Sequence, residues 1–176
     1  FCLAPFYWMI VTSFRDVGYT FDNTPWPTHV TLDNYRTVFD TSLGNHFARA
    51  LLNSAIIGVC TTILAVMFGV FAAYALARLD FRGKFVVLGL VLGASMFPGV
   101  ALLTPLFQLF TNIGWFGTYQ ALIIPDISFA LPLTIYVLTA FFAEMPWELE
   151  QAALVDGASP GQAFRKVILP LAAPGL

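Results

Sequence analysis

Three long apolar runs divide the chain. Ala50–Leu79 has no charge before Arg78, and its few polar side chains include Asn53, Ser54, Thr61 and Thr62. Phe85–Phe110 is charge-free, and Tyr119–Ala143 holds a single acid, Asp126. Each run is longer than the roughly 20 residues a helix needs to cross a hydrocarbon core of about 30 Å. None has the strict alternation of a barrel strand, so helices are the spanning elements. A shorter run, Phe1–Phe14, reads as part of a first helix whose start is missing. It lacks the basic leader and small-residue cleavage site of a signal peptide.

The pattern predicts an all-α, polytopic membrane bundle. A partial first helix covers 1–14, and an outer loop with a short interfacial helix covers 15–49. The second span is 50–79, followed by a loop at 80–84. The third span is 85–110, then a loop at 111–118, then the fourth span at 119–143. A polar segment covers 144–170, and 171–176 begins another apolar run. The chain is expected to be a fragment of a longer protein. In the outer loop, Thr31 is the expected N-cap of a helix that buries Leu32, Tyr35 and Phe39 at the membrane face.

Composition agrees with this reading. The chain is 59% hydrophobic and 10% charged, against about 25% charged in soluble domains. A net charge of −2 gives a nucleic-acid partner no electrostatic support. Cys2 and Cys60 sit in apolar runs and are expected to be buried, inert thiols. No disulfide framework or metal spacing is present.

Charge also sets the orientation. Arg78, Arg82 and Lys84 crowd one short link, whereas Gln108–Thr118 has no basic residue. The positive-inside rule places 80–84, and with it 144–170, in the cytoplasm. The 15–49 loop then lies outside. Its three arginines run against the rule, but four aspartates intersperse them.

Pro98, Pro105, Pro125 and Pro132 interrupt the third and fourth spans, and each removes a backbone donor. They mark either a water-lined pathway or the ordinary tolerance of membrane helices for proline. Asn53, Gln108 and Asp126 are the candidate pathway residues. For Asp126 a substrate contact, a subunit contact and interfacial snorkelling all stay open. Gly89 and Gly93 match a helix-packing spacing that also arises by coincidence.

No enzymatic machinery is evident. Gly157-Ala-Ser159-Pro-Gly161 fits G-x-S-x-G, but helix signals precede it where a nucleophile elbow needs a strand. Both histidines, His29 and His46, lie in the outer loop, away from any triad. Neither a phosphate-binding G-x-x-x-x-G-K-[ST] loop nor an H-E-x-x-H zinc pair occurs. The chain is therefore expected to be no enzyme and to bind no cofactor or metal. Any active transport must draw energy from another subunit.

The polar segment reads as helix, glycine hinge, helix. Pro146 suits a first turn, and Glu148 and Glu150 suit the positive N-terminal end. Gly157 can end the helix in the left-handed region. Ser159, Pro160 and Gln162 form a capping box for the next helix. Phe164, Val167, Ile168 and Leu171 then fall on one face, and Pro170 marks a turn back toward the membrane. By pattern alone, this element either docks in a partner's groove or packs on its own bundle.

The spacing Gln151-Ala152-Ala153, three residues, Gly157, nine residues, Val167-Ile168-Leu169-Pro170 resembles the EAA loop of ATP-binding cassette (ABC) importer permeases. That pattern is E-A-A-x3-G-x9-I-x-L-P. Gln151 occupies the glutamate slot, with Glu150 just before it, and Val167 occupies the isoleucine slot. Asn34-Tyr35 with Phe39, Asn53-Ser54, Ala73–Arg78 and Leu131-Pro132 extend the resemblance to the carbohydrate-importer branch over nearly the whole chain.

The resemblance implies the type I importer permease fold, in a fragment that lacks the start of the first helix and the last two helices. It implies a sugar as cargo, trehalose first, with maltose, another oligosaccharide or glycerol phosphate as alternatives. It implies a second homologous permease, two ATPase subunits that use ATP and Mg, and an extracytoplasmic sugar-binding protein or lipoprotein. It places the chain in the bacterial inner membrane. It assigns ATPase coupling to Glu150, Gln151, Ala152, Ala153, Asp156, Gly157 and Pro170, with Glu150 a possible stand-in at the Gln151 slot. The other reading is a membrane scaffold or channel without an ATPase.

Overall fold

A computed structural model describes residues 2–44 and 46–173. Residues 174–176, the end of the last expected run, lie outside the described residues. Those described are mostly helical, and the only extended pairing among them is the bridge between Arg15 and Val30. The chain forms two units, Phe1–Ala55 and Ile56–Leu176.

The first unit opens with α1, Ala4–Ser13, and carries α2, Asp33–Phe39. The intervening loop winds around Arg15, which is fully buried. Its guanidinium donates to the carbonyls of Asp22, Thr24 and Trp26 and lies over the Trp8 ring. One of the three arginines that opposed the charge rule is thus enclosed rather than free in the loop. Asn34 donates to the Ser13 and Arg15 carbonyls at 3.1 and 2.6 Å, which ties α2 back to this loop.

The expected cap shifts by one position. Leu32 is the N-cap, while the Thr31 hydroxyl accepts from the Asp33 amide at 3.1 Å. A threonine bond to the residue two ahead closes a local turn rather than a cap. Leu32, Tyr35 and Phe39 are not covered by the chain itself, which leaves them available to the expected membrane face. The helix is held instead through Asn34 and by Tyr35, which bonds Ser13 and packs on Phe14. Nor are the cysteines enclosed. Cys2, in the turn before α1, is exposed, and Cys60, within the 47–78 helix, is half-buried.

Helix α3, Phe47–Arg78, runs for 32 residues, about 48 Å at 1.5 Å per residue. Helix α6, Gln120–Glu144, runs for 25. Both are long and apolar enough to cross a membrane. Between them the expected third span is broken. Helix α4, Lys84–Ser95, and helix α5, Gly99–Asn112, meet at an angle of 82°.

The break falls at Pro98, which serves as the N-cap of α5. Proline lacks an amide and drives the preceding residue out of the helical region. Pro105, Pro125 and Pro132, expected to interrupt their spans in the same way, each lie inside a continuous helix. One missing donor is tolerable where the rest of the helix holds the backbone in place.

The core of the second unit sits where α3 and α6 meet the last segment. Val70 and Ala73 pack with Leu138 and Phe142, and with Phe164, Ile168 and Ala172. Gly69 permits this approach: a Cβ there would stand 2.7 Å from the Thr134 methyl.

Candidate functional site

The site develops from the end of α6. After Met145 the chain enters α7, Trp147–Val155, with Pro146 as its N-cap, one position before the expected first turn. Glu148 and Glu150 occupy the first turn, where the helix dipole favours acids. At the far end, Ala158 donates to the Ala153 carbonyl at 3.0 Å and Gly157 to Leu154 at 3.1 Å. This double bond pattern requires a left-handed residue, and Gly157 supplies it at φ 86°.

The next helix opens as expected. Ser159 accepts from the Gln162 amide at 3.4 Å, and the Gln162 side chain accepts from the Ser159 amide at 2.9 Å. Together these form a complete capping box. After α8, Pro160–Ala163, the backbone widens into a π turn over Phe164–Ile168 before α9, Leu169–Ala172.

The π turn corrects two expectations. Leu169 donates five residues back, to Phe164, so one extra residue enters the turn. The buried face therefore passes through Ala163, Phe164, Ile168 and Ala172, and Leu171 is exposed. Pro170 likewise does not turn the chain. It lies exposed within α9; the wider turn just before it accommodates a residue with no amide to donate.

Helix α7 presents two different faces. Gln151, Ala152, Val155, Asp156 and Gly157 are exposed, and Ala153 is half-buried. Glu150 is the one buried residue of α7, at 6% exposure. Its Oε1 accepts from the Tyr74 hydroxyl, and its Oε2 lies 3.8 Å from Arg78 Nε. Arg78 also donates to the Met145 carbonyl at 2.9 Å and lies 5.0 Å from the Trp147 ring centroid. Tyr74 in turn packs against Phe142 and Phe164.

Glu150 thus faces inward, held by its own chain, and does not share the outer surface with Gln151. Sequence reasoning assigned no such role to Tyr74 or Arg78. Their spacing of four along one helix was the available signal, since it places both on one face. Their partner lies too far along the chain for local pattern to reveal.

The candidate pathway residues are not members of this cluster. Asn53 is in α3 within the first unit, and Gln108 and Asp126 are exposed on α5 and α6. A groove of about 430 Å³ in the second unit is lined by apolar side chains and Thr62, including Ile63, Val66, Phe71 and Phe164, and by none of these three. Among the described residues, no group of three or more His, Cys, Asp or Glu could hold a metal.

Residues 65–176 match the family described as the binding-protein-dependent transport system inner membrane component. The chain belongs to this family. The match covers α4–α9, α3 from Ala65 onward and the Glu150 cluster.

Among individual family members, the chain is 52% identical to a trehalose transport system permease protein of Mycobacterium tuberculosis (strain CDC 1551 / Oshkosh), over 100% of this chain and 63% of that one. It is 42% identical to a trehalose/maltose transport system permease protein of Thermococcus litoralis, over 99% of this chain and 63% of that one. It is 35% identical to a diacetylchitobiose uptake system permease protein of Streptomyces coelicolor, over 99% and 57%. The chain thus spans less than two thirds of the length of these relatives. Its fold matches the crystal structure of a bacterial ABC transporter involved in the import of the acidic polysaccharide alginate. That match has a TM-score of 0.73 and 24% identity, over 98% of this chain and 60% of that one.

Proposed function

We propose that this chain is part of a permease subunit of an ABC sugar importer. Its spanning helices would line part of the sugar pathway in the bacterial cytoplasmic membrane. The α7–Gly157 corner would take an ATPase subunit on the cytoplasmic side. The observation that carries the reading is the division of α7 within a family of transport components. Gln151, Ala152, Val155, Asp156 and Gly157 face outward, with Trp147, Leu149 and Leu154 partly uncovered, while the lone buried side chain anchors the helix to its own bundle.

A helix with a thin outer face fits a partner's groove. The chemistry of ATP and Mg would belong to that partner, since this sequence has no phosphate loop. A second homologous permease and an external sugar-binding protein complete the proposed assembly. They supply the other half of the pathway and the delivery of cargo.

The proposed cargo is the disaccharide trehalose, supported by 52% identity to a trehalose permease. Maltose is the second candidate, supported by the relative named for both sugars. The test is ATP hydrolysis by the full-length reconstituted complex across a panel of disaccharides with the binding protein present. Stimulation by trehalose above the other sugars supports the assignment. Stimulation by another sugar alone reassigns the cargo, and hydrolysis that no sugar changes rejects the import reading.

A further inference from the structure

Helix α7 is weakly held by its neighbours in the chain. It joins α6 through two extended residues, Met145 and Pro146, and leaves through a left-handed glycine. Its apolar side chains are largely uncovered: Trp147, Leu149 and Leu154 are about 40% exposed and Val155 is 86% exposed. A helix attached in this way could pivot on both joints. Its single buried side chain is an acid, and that acid meets a tyrosine and an arginine of α3.

We propose that Arg78, assisted by Tyr74, is a positioning residue that locks α7 to α3 and to the end of α6, so that a force on α7 moves the spanning helices with it. The inference rests on the reading of α7 as the ATPase-docking helix.

Three features support the lock. First, one guanidinium reaches three places at once: the Met145 carbonyl closing α6, Glu150 on α7 and the Trp147 ring. Arginine's planar fork can make such a set, whereas a lysine ammonium cannot. Second, the pair resists separation. Both side chains are more than nine-tenths buried, and parting them would leave two uncompensated charges in a low dielectric. An apolar contact is non-directional and would let the helix slide. Third, Arg78 Nε and Glu150 Oε2 are buried 3.8 Å apart, and neither has a hydrogen-bond partner. Approach of α7 toward α3 would satisfy both atoms, and withdrawal would satisfy neither.

The experiment uses the full-length permease in its complete complex, in vesicles, and measures ATP hydrolysed per sugar imported. The Arg78→Met/Glu150→Leu double variant keeps the site filled but removes the lock. It is expected to raise that ratio about tenfold, within the usual range of a coupling free energy, with the ATPase still co-purifying. Tyr74→Phe deletes one hydroxyl from a packed ring and is expected to raise the ratio about twofold. An unchanged ratio in both variants overturns the lock, even if import and hydrolysis fall together, because a purely structural defect lowers both in proportion. If no ATPase co-purifies with the native permease, the docking reading itself fails and the lock fails with it.

Discussion

Arg78 Nε faces Glu150 Oε2 at 3.8 Å, and both side chains are nearly inaccessible to solvent. They lie on different helices of the second unit, α3 and α7, and the α3–α6 core brings them together. Removing one partner strands a buried charge, at a cost of about 3–5 kcal/mol. Arg78→Met or Glu150→Leu alone is therefore expected to lower thermal stability in detergent by that amount. The double replacement is expected to cost less than either single one, because apolar residues often substitute for a buried pair. Additive losses would show that the two side chains do not interact.

Gly69 and Thr134 set the separation of α3 and α6. A Cβ at position 69 would stand 2.7 Å from Thr134 Cγ2. The threonine is stiff at χ1 and bonded to the Ala130 carbonyl at 2.9 Å, so it cannot swing away freely. Gly69→Ala is expected to cost about 1–3 kcal/mol through overpacking. Thr134→Ala removes the clashing methyl and is expected to restore most of that loss. Unfolding of the single and double variants in detergent checks this. A double variant no more stable than Gly69→Ala would place the strain elsewhere.

Gly157 holds φ 86°, and a Cβ there would meet nothing within 4 Å. The constraint is therefore on the backbone alone. A β-branched residue in the left-handed region costs about 1–2 kcal/mol, while asparagine enters that region more readily. Gly157→Val is expected to abolish sugar-stimulated hydrolysis in the complete complex, and Gly157→Asn to retain much of it. Equal loss in both variants would point to side-chain size at the partner's surface instead of backbone conformation.

Asp22 gives the loop between α1 and α2 a pH dependence. Its carboxylate accepts from the Thr28 hydroxyl at 2.8 Å and from the Thr24 hydroxyl at 3.1 Å. The Thr28 bond is the largest influence holding its pKa below the ordinary 3.8. A lowered folded value means that the contribution to loop order is full above the unfolded value. It is lost as pH falls through the folded one. The Asp22 carboxyl is expected to titrate below 3.8 by NMR, and Thr28→Val to move the midpoint upward. A midpoint unchanged in that variant would remove Thr28 as the cause.

Much of this arrangement is legible in the sequence, and the rest has definite physical reasons for escaping it. The long apolar runs announce α3 and α6, because a membrane leaves helices as the simple solution. Gly157 and the Ser159–Gln162 box are local signals, and both form as expected. Four prolines looked alike, yet Pro98 alone breaks a helix, since the outcome depends on what holds the flanking backbone. The π turn at Phe164–Ile168 shifts the buried face by one residue, a step that a fixed helical period cannot encode. From the sequence, Glu150 is an acid suited to a helix start and a stand-in for the Gln151 slot. Only tertiary packing supplies Tyr74 and Arg78 and turns it inward.

The outward face of α7 is the surface on which the proposed function depends, and site-directed crosslinking tests it most directly. In a full-length permease with every native cysteine replaced, Cys2 and Cys60 among them, a single cysteine at Val155, which is 86% exposed, is expected to crosslink to the ATPase subunit. A cysteine at Leu138, buried in the core at 5% exposure, is expected not to. Absence of the Val155 crosslink in a complex that still imports sugar would contradict the assignment of α7 as the docking helix.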